Sequence, residues 1–221
     1  MFKQRNTMTK NIIIIGAGSG LSKSVAEKFG QEGFKVGLIS RTTDKLAKIV
    51  ADLENQDIKS FYTTADAGNE TQLNQAIKTL RNTMGSVNTL LYNAAVLKQK
   101  NIMEETTASL SEDFKVGVLS ALDAVQTVFE DLKENQGTVL LTGGGLAIHP
   151  NPEMGSVCMG KAALRNLGFQ LNTTLEKDNI YAGMLTICDQ IKEDSTTHSP
   201  KILADKFWQL HENRSEAEIQ Q

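Results

Sequence analysis

Six residues near the amino terminus, Gly16-Ala17-Gly18-Ser19-Gly20-Leu21, follow directly on the apolar run Asn11–Ile15. Glycines at such a point let the backbone turn sharply. They also let a diphosphate approach unpaired N–H groups at a helix start, where the helix dipole favours anions. Alone, the cluster is no more than a tight turn. Between a strand and a helix it predicts a dinucleotide site, with Gly16, Gly18, Ser19, Gly20 and Leu21 around the phosphates. The spacing G-x-G-x-x-G fails at its third place, Leu21, and G-x-x-x-G-x-G fits Gly16 and Gly20 but ends on Ser22. About twenty residues on, where a carboxylate would pair with a ribose diol, the next apolar run ends in Ser40-Arg41-Thr42. A guanidinium forks instead onto a 2′-phosphate, with the two hydroxyls beside it. The expected cofactor is therefore NADP(H), the alternative being a solvated Arg41.

The elements that must hold these residues alternate strictly. Apolar runs at 11–15, 36–39, 58–63, 87–92, 137–142 and 180–187 read as strands. Between them, 21–31, 45–53 and 72–83 have helical period. Val118, Leu122, Val125, Phe129 and Leu132 fall on one stripe of a fourth helix, and Leu164, Leu167, Leu171 and Leu175 on one stripe of a fifth. Strand–helix repeats joined by right-handed crossovers predict an α/β, Rossmann-like doubly wound parallel sheet of six to seven strands, three layers deep. After it, 199–221 offers a helix with Phe207, Trp208 and Leu210 and a short polar end, without room for a long seventh strand. The expected organisation is a flexible start, 1–10, and one nucleotide-binding domain, 11–221.

From 11 to 191 the chain resembles the short-chain dehydrogenase/reductase family. The glycine spacing carries the likeness, together with Asp66 after the third strand, Asn93-Ala94-Ala95 after the fourth and Lys161-Ala162-Ala163-Leu164. The resemblance implies that Asp66 lies beside adenine, that Asn93 and Ala94 line the cofactor, and that Lys161 holds the nicotinamide ribose. It also implies a catalytic tyrosine four residues before the lysine, a serine after the fifth strand and an asparagine in the fourth helix. Those three positions are Val157, Gly144 and Gly117. The family's Pro-Gly after strand six is Cys188-Asp189, and the lid region shrinks to 191–199.

Loss of a general acid typically costs about 10²–10⁴-fold, so substitutes matter. Cys158 stands three residues before Lys161, whose ammonium would favour a thiolate; free cysteine is also a common buried hydrophobe. His149 follows Gly143-Gly144-Gly145 and titrates in a useful range, unless it is a solvated loop histidine. Ser156 offers a hydroxyl of unsuitable pKa. The three glycines are either a second close-approach site or a flexible turn. Tyr92, Tyr181, Met154 and Met159 read as packing or subunit-contact residues.

Bulk properties narrow the remaining classes. A net charge of -3 gives no footprint for nucleic acid or an acidic membrane. No apolar run reaches the ~18 residues of a membrane span. Two cysteines and three scattered histidines suggest neither a disulfide framework nor a metal site. The expectation is a cytoplasmic protein, a homodimer or homotetramer through the fourth and fifth helices, acting on a small carbonyl or alcohol. The competing expectation is a catalytically inactive NADP(H)-binding sensor.

Overall fold

The structure is a computed structural model that describes residues 10–221; most of the expected flexible start lies outside the described residues. Seven parallel strands run in the order β3-β2-β1-β4-β5-β6-β7. They are β1 (Asn11–Ile15), β2 (Lys35–Ser40), β3 (Ser60–Thr64), β4 (Thr89–Tyr92), β5 (Thr138–Gly144), β6 (Tyr181–Ile187) and β7 (Glu218–Gln220). The helices between them are α1 (Leu21–Gln31), α2 (Thr43–Glu54), α3 (Glu70–Met84), α4 (Thr107–Phe114), α5 (Ser120–Thr127), α6 (Phe129–Glu134), α7 (Gly155–Leu175) and α8 (Pro200–Asn213).

β1 is buried on both faces, and its four isoleucines alternate between two cores. Ile13 and Ile15 pack with α3, α5 and α7, through residues such as Leu73, Ala121 and Leu164. Ile12 and Ile14 pack with α1, α2 and α8, through Phe29, Leu46 and Phe207. Helices on both faces explain why central strands read as unbroken apolar runs. Because the chain leaves β1 toward β2 on one side and returns to β4 on the other, the carboxyl edge opens between β1 and β4. Ligands settle at such a reversal in open α/β sheets.

Two expectations change. The stripe from Val118 to Leu132 is not one helix: a π-turn, Lys115–Leu119, precedes α5, and the backbone leaves helical geometry at Val128 (φ -107°, ψ 9°) before α6. Ser120 Oγ donates to the Lys115 carbonyl at 2.7 Å, and Thr127 Oγ1 donates to that of Asp123 at 2.8 Å. Hydroxyls that bond carbonyls of the preceding turn bend helices. α7 begins at Gly155, well before the leucine stripe.

The short polar end forms β7, which pairs with β6. Arg165 of α7 grips Glu218 through two 2.7 Å bonds, and Thr186 adds a third. That ion pair holds Glu218 well below the carboxylate range, at about 2. Polar clamping, invisible to hydrophobic patterning, makes this edge strand.

Candidate active site

The first turn is tied from inside. Gly16 has φ +83°, and a Cβ there would sit 2.5 Å from the Ala94 nitrogen, so this glycine lets the ends of β1 and β4 approach. Asn93 Nδ2 donates to Gly16 O at 3.3 Å and to Ser22 Oγ at 2.8 Å, and Ser22 Oγ donates to Gly16 O at 3.0 Å. Ser22, which replaces the last glycine of the spacing, is thus a buried strut. Sequence reading missed that role because a hydroxyl partner 71 residues away carries it.

Beyond the strut the backbone is open. Cβ atoms at Gly18 or Gly20 would meet nothing within 4 Å. The N–H groups of Gly18 through Ser22 find no acceptor among the described residues, and Gly20 caps α1 without a side-chain bond. Such a terminus suits an anion.

A cavity of about 430 Å³ runs from this turn across β2 and β3, lined by Gly16, Gly18, Ser40, Arg41, Thr42 and Asp66 among others. Lys45 lines it too, a second cation that the sequence reading did not select. Asp66 Oδ1 accepts from Gly68 N at 2.9 Å, which orients the carboxylate at the mouth of α3. Ser19 is exposed at the turn and Leu21 faces the neighbouring cavity rather than this one.

That neighbour, about 640 Å³, spans the ends of β4, β5 and β6. Asn93, Ala95 and Leu97 line both, so the two form one cleft along the carboxyl edge. Its far end is largely apolar, with Leu146, Met154, Val157, Ile187 and Ile191 in the wall, joined by His149 and by Lys161. Met154 is therefore a cavity residue, and Met159 is 43% exposed; neither belongs to the core.

Lys161 Nζ donates to the Thr142 carbonyl at 2.7 Å. Burial lowers its pKa to about 8, because an ammonium loses hydration there that one carbonyl only partly replaces. Four residues earlier, Val157 presents an alkyl group to the same cavity. A Cβ at Gly144 would touch the Lys161 stem at 3.5 Å.

The flanking glycines answer to packing: an added Cβ would collide with Thr186 Oγ1 at Gly143, and at Gly145 would meet Cys188 Cα at 3.0 Å. Cys158 does not join Lys161 at the cavity. Its buried thiol is held by Asn151, accepting from the amide at 3.2 Å and donating to the carbonyl at 3.3 Å. Its side chain leaves α7 toward the loop that α7 packs against, so sharing a helix turn did not place it at the site. Tyr92 and Tyr181 are buried, their hydroxyls donating to the Val116 and Glu216 carbonyls.

A parallel sheet with a glycine turn at its reversal and a cleft along its carboxyl edge defines a Rossmann-like α/β protein. Residues 10–188 match the family model for short chain dehydrogenases, and the chain belongs to that family. It is 25% identical to human short-chain dehydrogenase/reductase 3 over 163 residues, 73% of this chain and 54% of the relative. The match thus spans about half of that relative's length. Against 3-oxoacyl-acyl-carrier-protein reductase of Staphylococcus aureus, identity is 20% over 206 residues, 87% of this chain and 84% of the other. Among solved structures, acetoin dehydrogenase from Enterobacter cloacae superposes with a TM-score of 0.88 at 20% identity, covering 97% of this chain and 95% of that one. L-sorbose reductase from Gluconobacter frateurii, complexed with NADPH and L-sorbose, gives 0.87 at 20% identity, covering 95% and 93%. No helix among the described residues is long and apolar enough to cross a membrane.

Proposed function

We propose that this chain is an NADP(H)-dependent oxidoreductase for a small, largely apolar carbonyl or alcohol, working with a reduced set of catalytic groups. The observation that carries the reading is the single cleft with Arg41 and Lys45 at one end and Lys161 at the other, with no carboxylate at the end of β2. The open glycines and free N–H groups fit a diphosphate, and the two cations fit a 2′-phosphate, which each would bind by charge-assisted hydrogen bonds. When bound, the reduced nicotinamide supplies a hydride. Asp66 and Asn93 flank the nucleotide, as the family resemblance implies. Lys161 holds the ribose end, and the apolar wall from Leu146 to Ile191 excludes water and selects apolar substrates.

Calorimetry with NADPH and NADH, followed by stopped-flow oxidation of NADPH against small carbonyls, tests this. Tight NADPH binding, weaker NADH binding and carbonyl-dependent oxidation are expected; no heat with either nucleotide overturns it. The loss of side-chain chemistry at Val157, Gly144 and Gly117 favours one competing reading, a nucleotide sensor. It predicts binding without turnover. We further propose a cytoplasmic homo-oligomer, because Leu119, Met159 and Phe169 leave large apolar side chains exposed on the helical layer containing α5 and α7.

A further inference from the structure

We propose that Lys161 is itself the proton donor and acceptor of this site, resupplied through a one-water chamber beside Gly117 whose wall includes Ser156 and Asp113. This rests on the oxidoreductase reading and names the group that does the work of the missing phenol.

No tyrosine can reach the cavity. Tyr92 and Tyr181 spend their hydroxyls on backbone carbonyls within the fold, and Tyr62 lies on β3, far along the sheet. With valine at 157 and glycine at 144, Lys161 lines the 640 Å³ cavity beside side chains that carry no proton to transfer. Its stem lies where a side chain at 144 would project. The ammonium has three protons, and one acceptor, Thr142 O, takes one of them among the described residues.

Behind Val157 a second cavity of about 20 Å³ is lined by Asp113, Gly117, Ser156, Val157 and Lys161 among others. That volume holds one water, which needs two to four polar partners. Ser156 Oγ is buried and has no partner among the described residues, a costly state unless a water supplies one. Cβ atoms at Gly117 and Gly160 would meet nothing within 4 Å, so each glycine leaves room there. Asp113 in the chamber wall is partly exposed, and its carboxylate lies 2.5 Å from Lys98 Nζ. Lys98, itself partly exposed, also reaches Glu105 at 3.0 Å and Ser109 at 2.7 Å. The other titratable groups facing Lys161 are His149, Cys188 and Asp189 across the large cavity. A lysine whose burial places its pKa at about 8 can exchange a proton near neutrality.

In the reductive direction the carbonyl carbon accepts the hydride while its oxygen takes a proton from the Lys161 ammonium. The amine regains a proton from the chamber water, and that water from solvent along the Asp113 path. One carbonyl, one NADPH and one proton give one alcohol and NADP⁺.

Two measurements on the cofactor-free protein come first. Lys161 should titrate near pH 8 by ¹³C NMR after reductive methylation, and a high-resolution crystal structure should show one water joining Ser156 Oγ to Lys161 Nζ. A dry chamber, or titration near the ordinary 10.5, overturns the proposal whatever the activity.

Diacetyl and 4-nitrobenzaldehyde then serve as carbonyl probes. Lys161→Arg, which cannot give up its proton, should lose about 10²-fold or more in reduction measured at saturating NADPH. Ser156→Val and Asp113→Asn should slow reduction at least tenfold and raise the solvent isotope effect, with NADPH affinity unchanged. Wild-type reduction should fall as pH rises through 8. Two outcomes overturn the proposal while leaving the cofactor reading intact: turnover that appears only in Val157→Tyr, or turnover abolished by His149→Gln but not by Lys161→Arg. Absence of binding by both nucleotides removes the underlying reading as well.

Discussion

Arg41 and Lys45 stand one helical turn apart at the start of α2, both exposed and both lining the 430 Å³ cavity. A dianionic 2′-phosphate between them gains two charge-assisted contacts of about 1.5–3 kcal/mol each, discounted by solvent. Arg41→Ala is expected to weaken NADPH binding about tenfold, and the double variant with Lys45→Ala about 100-fold, while NADH affinity stays within about twofold. Calorimetry reads both nucleotides directly; an equal loss for NADH would show that these cations do not choose the cofactor.

Lys161 supports a stability prediction at the same scale. Its pKa is about 8 folded against 10.5 unfolded, so below pH 8 both states are charged and the folded state bears the full cost of burying an ammonium. Between pH 8 and 10.5 the unfolded chain binds more protons, and stability rises with pH. Lys161→Met should raise stability at pH 7 by up to about 3 kcal/mol, less the lost Thr142 bond, and the gain should fade above pH 10.5. Denaturant unfolding at pH 7 and 10.5 checks it, and an equal effect at both would contradict the buried-charge account.

At the scale of the element, the glycine turn divides into a packed half and an open half. Gly16 needs positive φ and room against Ala94, so Gly16→Ala should cost at least about 1–2 kcal/mol from backbone conformation alone and lower Tm. A Cβ at Gly18 meets open space, so Gly18→Val should leave Tm nearly unchanged yet weaken NADPH binding at least tenfold by blocking the diphosphate. Differential scanning calorimetry beside nucleotide titration separates the two. A large Tm loss in Gly18→Val would mean that its side of the turn is packed. The π-turn belongs to this scale too: it carries Gly117 past the end of α4, where the 20 Å³ chamber opens. An uninterrupted helix would have advanced the following residues by a different rotation.

Across the whole molecule, α8 closes one face through an aromatic cluster. His211 lies against the rings of Phe29, Phe34 and Trp208 and 3.1 Å from Thr138 Oγ1. Burial, then Arg214 and Lys10, lower its pKa to about 4. The unfolded chain takes up this proton near pH 6.5 and the folded chain only near 4, so stability is lost as pH falls through that window, by about 3 kcal/mol. His211→Phe should flatten the slope between pH 6.5 and 4 in urea unfolding; an unchanged slope would assign acid sensitivity elsewhere. The exposed Leu119, Met159 and Phe169 belong here as well. Light scattering should report a dimer or larger, and Leu119→Glu with Phe169→Glu should shift it toward monomer without unfolding it.

Strand–helix alternation, the glycine turn, the acid-free end of β2 and the lysine in α7 were all legible in one dimension, because each is a local pattern of periodicity or spacing. Val157, Gly144 and Gly117 stood out only by resemblance, as departures from a motif. Other features required the folded chain. Ser22 as a strut, Lys45 at the cleft, the break in the fourth helix, the turning away of Cys158 and the β7 clamp each depend on a partner far along the chain or on the direction of one side chain. Periodicity assigns a residue to a face of its own element. What that face meets is settled by crossovers and packing, and so the pairing of an ammonium with a small buried chamber emerged only in three dimensions.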